Sequence, residues 1–490
     1  MRRAHHTASI ALPGLLLFTL FSPAAQAQET APLDETAGHH IPITYAPPMQ
    51  PYILVQASIN GKLPLPFLID TGDSTPLILA PWAARLLDLE GNSAKIRLNG
   101  AIDAKAVTIR RVDLLGVTPG ESMRYDLQGS AVNAYVVDLS SMDEAYAGPR
   151  IAGVLGAPML APTTVRFDFA RRQMTIFTAP HDPIKLPGAW NLPLTLKDDR
   201  YYTAITTTEG DTTEILVDTG SFGTGLPMRL SAHLKPQATR IAGTGQLDNI
   251  TLSSQWLLPN LKIGPLLEPN MTATEATETG SELGMDFLAR YRITFDFPNK
   301  QMTLERAANY DQAARLSGWT GAMVQIHSGR VMVRKVLPGS PAGLAGLRTN
   351  DEILEVDDTK MTGLTANVAQ RLLDGAAGTT ATLSVRSLGD VRKLTLTRKT
   401  EFDRPASLFD GVMLYRQLKQ PLTLLDIAPD SLAAMAGLKR NDQILEIQGI
   451  DVKRIIGPDL LETLRSHTLT LQVRHPGEKA SRMLTLTLPD

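Results

Sequence analysis

The sequence contains no cysteine among its 490 residues. This absence excludes disulfide bonds, thiolate metal ligands, a cysteine nucleophile and a lipid-modified cysteine. The fold must therefore be held together by hydrophobic cores. Hydrophobic residues make up 43% of the chain and charged residues 20%, which is typical of a globular protein and not of a disordered one.

An excess of charge is also missing, because the formal net charge is only -2. Neither a nucleic acid nor an anionic membrane surface is therefore expected as a partner. The nine histidines show no metal-ligand spacing, and GxSxG, Walker and GxGxxG motifs are absent. The sequence thus predicts neither a metal site nor a cofactor.

Long hydrophobic runs are lacking beyond one short run at residues 10–21, which follows a pair of arginines. An Ala-Gln-Ala triplet ends at residue 27, so the pattern predicts a secretory signal peptide over 1–27, cleaved before Gln28. The alternative is a retained membrane anchor. It is disfavoured because the run is short and Pro13 interrupts it. The mature chain is expected to have no stable membrane anchor.

The length of the chain predicts three or four domains. Residues 28–41 are polar and are interpreted as a disordered leader. Short alternating runs such as Tyr52–Ala57 and Ala381–Val385 then indicate a mainly β fold. Only a few short segments favour helix, namely 81–87, 342–346, 368–373, 432–437 and 460–464.

An internal repeat organises the first 307 residues into two half-lobes, predicted at 42–180 and 181–307. Three short motifs recur, two of them displaced by 128 residues and one by 148. The matched motifs are Phe-Asp-Phe at 167–169 and 295–297, Leu-Gly at 155–156 and 283–284, and Asp-Thr-Gly at 70–72 and 218–220.

A second repeat fills the C-terminal part of the chain. A Ser-Pro-Ala-Gly-Leu block that begins at Ser340 leads into Asn-Asp-Glu-Ile-Leu, and a related block recurs 91 residues later. The displacement is the size of one small domain, so we predict domains at 316–399 and 408–490. The linker between them is predicted at 399–407.

The two Asp-Thr-Gly motifs carry the candidate chemistry. Each follows an apolar strand, at 66–69 and at 214–217, so each strand can bring its aspartate to a fixed position. Asp70 and Asp218 could meet across a pseudo-twofold axis. Two carboxyl groups about 3 Å apart share one proton, so that one activates a water molecule while the other protonates a scissile carbonyl.

Residues 42–307 resemble the bacterial relatives of retroviral aspartic proteases, with both half-lobes in one chain. The resemblance implies a mainly β fold of two pseudo-symmetric, closed β-barrel-like half-lobes that bind substrate as an extended strand. It also implies roles for individual residues: Asp70 and Asp218 as the catalytic pair, Thr71 and Thr219 as braces between the loops, Gly72 and Gly220 as turn residues whose amides face the carboxylates, and Ser221 as a donor to the outer oxygen of its aspartate.

Two residues depart from the family pattern. Asp73 stands where the family has Ser or Ala, and Glu282 replaces an apolar residue of the segment behind the second motif. Asp73 either faces solvent and caps the following turn, or raises the pKa values of the pair or marks a degraded site. Segments 96–109 and 243–256 are candidates for hairpins that close the cleft, or are ordinary surface hairpins.

The C-terminal repeats resemble PDZ domains of bacterial envelope proteases, the second copy more loosely than the first. The resemblance implies that peptide ends bind beside a glycine-containing loop, formed by Gly321, Ala322 and Met323 in one copy and Gly411, Val412 and Met413 in the other. The alternative, which applies most to the second copy, is that the module only packs on the protease.

Together these features predict an exported aspartic endopeptidase of the periplasm or an equivalent bacterial envelope space. Its partners would be polypeptide substrates, recruited or gated by the PDZ domains through C-terminal or extended segments. The alternative is a non-catalytic peptide-binding scaffold with the same fold. Intact aspartates and threonines in both motifs favour the enzyme.

Overall fold

The computed structural model describes residues 34–47, 49–97, 101–127, 133–143, 148–206, 210–246, 249–277, 280–404, 407–417, 420–455, 460 and 463–488. The predicted signal peptide lies outside these residues. Within them, every helix is too short or too polar to cross a membrane.

The first half-lobe consists mainly of short strands rich in aliphatic residues. Its strands are β1 (His39–Pro42), β2 (Thr44–Ala46), β3 (Gln50–Ile59), β4 (Leu65–Asp70), β5 (Leu77–Leu79), β6 (Asn92–Arg97), β7 (Ala101–Thr108), β8 (Arg111–Leu115), β9 (Ser122–Asp126), β10 (Asn133–Val136), β11 (Gly153–Gly156), β12 (Thr164–Asp168) and β13 (Gln173–Phe177), and its helices are α1 (Pro81–Leu86), α2 (Ser140–Asp143) and α3 (Ala157–Leu160).

The main sheet of this half-lobe has the order β6-β7-β10-β5-β11-β4-β3-β8-β9. Strand β4 lies near its middle, between β11 and β3, and is buried along its apolar residues. A strand covered on both faces reads as a continuous apolar run, which explains the sequence Leu-Pro-Phe-Leu-Ile before Asp70. The sheet therefore fixes the position of that aspartate.

The second half-lobe is also built from strands. They are β14 (Trp190–Pro193), β15 (Thr195–Lys197), β16 (Arg200–Thr206), β17 (Thr212–Val217), β18 (Thr224–Pro227), β19 (Ala238–Gln246), β20 (Asn249–Ile263), β21 (Leu266–Ala276), β22 (Glu282–Leu283), β23 (Tyr291–Asp296) and β24 (Gln301–Arg306), with helices α4 (Ser231–Leu234), α5 (Met285–Leu288) and α6 (Tyr310–Ala313).

Strands of this half-lobe close on themselves. The order is β16-β17-β22-β18-β21-β20, and β16 also pairs with β20. Asp218 directly follows β17, one of the strands of this ring. Asp218 thus follows a strand of a closed barrel, just as Asp70 ends a strand of the sheet in the first half-lobe.

The two half-lobes share a third sheet, with the order β1-β13-β12-β23-β24-β14. At its centre Arg166 lies opposite Thr294, its own counterpart in the repeat, and donates to that hydroxyl at 2.9 Å. The rings of Phe167 and Phe295 meet edge to face, with centroids 6.0 Å apart. The Phe-Asp-Phe repeat therefore marks the pseudo-twofold axis between the half-lobes.

Strand β1 corrects the prediction of a disordered leader up to residue 41. It pairs with β13, and Ile41 is fully buried in the core. Burying an apolar side chain favours order at this position despite the polar composition around it.

The C-terminal repeats are also built mainly from strands. Their strands are β25 (Gly318–Trp319), β26 (Ala322–His327), β27 (Arg330–Val336), β28 (Glu352–Val356), β29 (Thr359–Lys360), β30 (Thr380–Ser387), β31 (Asp390–Thr397), β32 (Lys399–Thr400), β33 (Val412–Gln417), β34 (Leu422–Ile427), β35 (Gln443–Ile447), β36 (Ile450–Asp451), β37 (Thr468–Arg474) and β38 (Arg482–Thr487), and their helices are α7 (Pro341–Leu344), α8 (Ala366–Asp374) and α9 (Leu432–Met435).

The two C-terminal repeats have the same strand order. Strands β26-β27-β28-β30-β31 in the first correspond to β33-β34-β35-β37-β38 in the second. The aspartate of each Asn-Asp signature is buried: Asp351 binds Arg392 at 2.9 Å, and Asp442 binds Arg482 at 2.9 Å. These aspartates are therefore structural.

The helices α1, α7, α8 and α9 confirm four of the predicted helical segments to within about two residues at either end. Serine caps explain two of them, because Ser340 and Ser431 each accept a backbone N–H of the first turn. The segment 460–464 is only partly described.

Candidate active site

The two Asp-Thr-Gly loops are supported from behind by the two Leu-Gly segments. Strand β11 runs parallel to β4 and places Gly156 beside Asp70. In the second half-lobe, β22 runs parallel to β17, and the N–H of Asp218 donates to the carbonyl of Leu283 at 3.1 Å. The motifs that recur in the sequence thus meet in space.

The threonines link the two loops symmetrically. The Thr71 hydroxyl donates to the carbonyl of Val217 at 2.7 Å and accepts the N–H of Thr219 at 3.1 Å. In the same way the Thr219 hydroxyl donates to the carbonyl of Ile69 at 3.0 Å and accepts the N–H of Thr71 at 3.0 Å. Both threonines are buried, so these four bonds fix the relative position of the loops.

The glycines bring each loop against the opposite aspartate. A Cβ added to Gly72 would lie 2.4 Å from Cγ of Asp218, and one added to Gly220 would lie 2.3 Å from Oδ2 of Asp70. The glycine amides hold the carboxylate of their own loop, at 2.8 Å for Asp70 and 2.7 Å for Asp218. The two carboxyl groups therefore lie side by side, with no room for a side chain on either glycine.

The two aspartates interact as a pair. Burial, and then the charges of Asp218 and Asp73, raise the pKa of Asp70 well above its ordinary range. Burial also raises the pKa of Asp218, but hydrogen bonds from Asp70, from the amides of Gly220 and Ser221 and from Glu282 oppose this rise. The donors collected around Asp218 favour it as the ionised member of the pair, with Asp70 holding the shared proton.

Asp73 is buried and does not face solvent. Its carboxylate accepts the N–H of Thr75 at 2.8 Å, so it does cap the following turn. Its N–H donates to Oδ1 of Asp70 at 3.1 Å, and its charge raises the pKa of that aspartate. Asp73 thus has both of the roles that the sequence left as alternatives, a turn cap and a like charge beside the pair.

The Ser221 hydroxyl departs from its expected role. It donates to Oε1 of Glu282 at 2.6 Å, and its oxygen also lies 3.0 Å from the carbonyl oxygen of Gly223, while the backbone N–H of Ser221 lowers the pKa of Asp218. The reason is Glu282, which offers the hydroxyl a part-buried carboxyl group as acceptor.

Glu282 is a third acidic group at the aspartate pair. Burial, and next the charge of Asp218, raise its pKa to about 8, so it is protonated at neutral pH. Its carboxyl group is hydrogen-bonded to Asp218. The sequence marked Glu282 as a departure from the pattern, but only the spatial pairing of β22 with β17 reveals its place beside Asp218.

An aromatic pair lies close to the carboxyl groups. Tyr52 of β3 stacks on Phe222 of the second loop, with ring centroids 4.5 Å apart. Burial raises the pKa of Tyr52, the two aspartates raise it further, and Arg371 of α8 opposes them. The charge of Arg371, on α8 of the first C-terminal repeat, thus acts on Tyr52, which no sequence motif predicted.

The two loops expected to bind peptides have different contacts: the first contacts a helix of its own repeat, and the second contacts the second half-lobe. In the first repeat, the amide of Gln370 on α8 accepts the N–H of Val324 at 3.1 Å and donates to the carbonyl of Ala322 at 2.9 Å. In the second repeat, the N–H of Gly411 donates to the hydroxyl of Ser254 in the second half-lobe at 2.7 Å. A backbone group of each loop is thus hydrogen-bonded to a side chain of the same protein: Gln370 in the first repeat and Ser254 in the second.

Two family models match the chain. An aspartyl protease model matches residues 55–159, and a PDZ domain model matches residues 332–387. The chain therefore carries an aspartyl protease domain followed by a C-terminal PDZ domain in a mainly β fold. The first match contains Asp70, and the second contains α8.

The similar proteins share a segment of about one small domain with this chain. The carboxy-terminal processing protease CtpA of Bacillus subtilis (strain 168) is 31% identical over 90 residues, which is 18% of this chain and 19% of the relative. The chain thus matches about a fifth of that relative's length.

Two solved structures give matches of similar extent. The photosystem II D1 C-terminal processing protease is 31% identical over 19% of this chain and 25% of its own, with a TM-score of 0.17. The PDZ domain of a carboxy-terminal protease from Vibrio cholerae, in complex with peptide, is 24% identical over 17% of this chain and 94% of its own, with a TM-score of 0.16.

Proposed function

We propose that this protease, which carries at least one PDZ domain, is an exported aspartic endopeptidase that hydrolyses polypeptides with the Asp70–Asp218 pair. The observation that carries the proposal is the symmetric arrangement of the loops, in which paired threonines hold two hydrogen-bonded carboxyl groups together. Ionised Asp218 acts as the base that activates water, and Asp70 donates its proton to the scissile carbonyl.

The surroundings of the pair support peptide hydrolysis without a covalent intermediate. The glycine amides and the threonine bonds keep the carboxyl groups in one geometry, which lowers the cost of orientation in the transition state. An extended substrate would bind through its main chain, and the PDZ loop around Gly321 would bind chain ends.

The direct test is incubation of the purified chain from Gln28 onward with an unfolded protein substrate between about pH 4 and 8, with and without pepstatin. The proposal predicts cleavage that the inhibitor blocks. Substrate that is bound but never cleaved would support the peptide-binding scaffold, and cleavage that pepstatin does not affect would show a different catalytic type.

Asp73 is expected to set the pH range of activity. Its charge raises the pKa of Asp70, so Asp73→Ser should lower the upper pKa of the pair and move the alkaline limb of the pH–rate profile to lower pH. Ser can still cap the N–H of Thr75. Asp73→Asn, which also keeps a cap but removes the charge, should give the same displacement. An unchanged kcat/KM profile in both variants would contradict the role.

Glu282 is expected to position Asp218 and to keep it ionised. In Glu282→Leu the hydrogen bond that lowers the pKa of Asp218 is lost, so the acidic limb of the profile should move to higher pH and kcat should fall about tenfold. Glu282→Gln keeps a donor for Asp218 and an acceptor for the Ser221 hydroxyl. It should therefore retain the wild-type acidic limb and rate to within about threefold. Equal profiles for the two variants would contradict the positioning role.

A further inference from the structure

The second C-terminal repeat is joined to the second half-lobe through one continuous sheet. Residues 249–252 of β20 pair antiparallel with 414–417 of β33, so that the order runs β17-β22-β18-β21-β20-β33-β34. Strand β33 directly follows the loop at Gly411, and it is the strand to which a peptide ligand of a PDZ domain would add. The hairpin β19–β20 therefore lies where such a ligand would lie.

The segment 249–254 imitates a bound chain end in direction as well as in position. It runs antiparallel to β33 and approaches the loop with its C-terminal residue, Ser254, whose hydroxyl accepts the N–H of Gly411 at 2.7 Å. In a peptide complex, the terminal carboxylate would take the place of this hydroxyl.

Apolar side chains of the hairpin complete the core of the second repeat. Leu252 and Ile241 are both 1% exposed and belong to the same buried cluster as Leu414 and Phe409. Burial removes the apolar surface of both side chains from water, which favours the docked arrangement. The core of the second repeat is thus completed by the half-lobe that carries Asp218.

Polar contacts hold the other strand of the hairpin. The guanidinium of Arg465 donates to the carbonyl of Ile241 at 3.0 Å. Arg240 forms an ion pair with Glu401 and lies over the ring of Phe402, 5.5 Å from its centroid. Both strands of the hairpin are therefore held: β20 by the second repeat, and β19 by the second repeat and by the linker before it.

Segment 243–256 was predicted to be either a hairpin that closes the cleft or an ordinary surface hairpin, and the structure shows a third role for part of it. Residues 249–252 instead bind the second repeat through main-chain pairing, because β20 continues past the barrel and reaches β33. The other candidate, 96–109, contains the end of β6 and all of β7, and no described contact assigns it to the cleft.

We propose that the peptide groove of the second repeat is a binding site for an internal ligand, residues 249–254 of the protease's own hairpin. The second repeat is then a docking domain for the catalytic half-lobe, and it does not take up substrate ends while the hairpin is bound. The consequence for proteolysis rests on the proposed function, whereas the docking does not. Chain ends would then be recruited by the first repeat. Among the described contacts there, the N–H of Val324 is bonded to the side chain of Gln370 and not to another strand.

The first experiment exploits the absence of cysteine, since one engineered pair can form only one intramolecular disulfide. Thr251 and Tyr415 lie directly opposite each other in the antiparallel pairing of β20 with β33. Residues opposite each other in antiparallel strands have Cα separations that suit a disulfide. The full-length variant Thr251→Cys/Tyr415→Cys should form an intramolecular disulfide almost completely on mild oxidation. Less than about a tenth of the chain cross-linked would overturn the docking.

The second experiment measures amide hydrogen exchange of 412–417 in full-length protein with the Asp218→Asn substitution, which prevents cleavage of a probe. Leu252→Asp should accelerate exchange of this segment at least about tenfold. The matched control Leu267→Asp, at a leucine of β21 that is 56% exposed, should leave it unchanged. The synthetic peptide Asn-Ile-Thr-Leu-Ser-Ser should then restore protection in Leu252→Asp and add none in protein with native Leu252.

Rapid exchange of 412–417 with native Leu252, or protection by the peptide there, would show an open groove and overturn the proposal. Neither readout requires proteolysis. A docked hairpin in a protein that cleaves nothing would support this inference and contradict the proposed function. An active protease with an open groove would support the proposed function and contradict this inference.

Discussion

Asp218→Asn and Asp70→Asn should each lower kcat for peptide hydrolysis at least about 10³-fold. An amide can neither hold the shared proton nor act as a base, and general acid–base catalysis is worth about 10² to 10⁴ in rate. The double variant should be no less active than either single variant, because the two residues act as one unit. Single-turnover rates on one peptide substrate would measure the effect.

The same variants have an expected effect on stability that serves as their control. The pKa of Asp70 is raised on folding, so its contribution to stability is full below about pH 3.8 and is lost as the pH rises through the raised pKa. Asp70→Asn removes this dependence. Its midpoint of thermal unfolding should equal that of the wild type at low pH and exceed it near neutral pH. Retained proteolysis in Asp218→Asn would contradict the shared pair.

The sequence predicted the parts of the site that rest on repetition. Each Asp-Thr-Gly motif, each Leu-Gly segment and each Phe-Asp-Phe motif is short and local, and a twofold arrangement requires the copies to meet. The pairing of Arg166 with Thr294 follows from the same symmetry. Their displacement in the sequence was therefore sufficient to predict their proximity in the fold.

The features that the sequence did not predict depend on contacts between distant segments. Burial of Asp73 follows from packing around its loop, and the bond between Ser221 and Glu282 joins residues 61 positions apart. The docking of 249–254 on β33 is a main-chain pairing, and main-chain pairing leaves almost no trace in side-chain identity. In the sequence Leu252 looks like an ordinary strand residue, and only the structure shows that it belongs to the core of the second repeat.

Gly220→Ala is expected to inactivate the protein by displacing one carboxyl group. The added Cβ would lie 2.3 Å from Oδ2 and 2.4 Å from Cγ of Asp70, which is too close for any real contact. Asp70 cannot turn away without losing the N–H bonds of Gly72 and Asp73. The two carboxyl groups must therefore separate, and a displacement of about 1 Å in a catalytic group costs about 10² in rate.

The matched control lies in the same loop. A Cβ on Gly223 would meet nothing within 4 Å, so Gly223→Ala should keep kcat to within about threefold. Gly220 lacks a positive φ, so alanine strains no backbone there, and both variants should unfold within a few degrees of the wild type. The measurements are kcat and the midpoint of thermal unfolding for each of the two variants. Equal activity in the two alanine variants would mean that Asp70 does not lie against Gly220 in the working enzyme, because only Gly220→Ala crowds that carboxyl group.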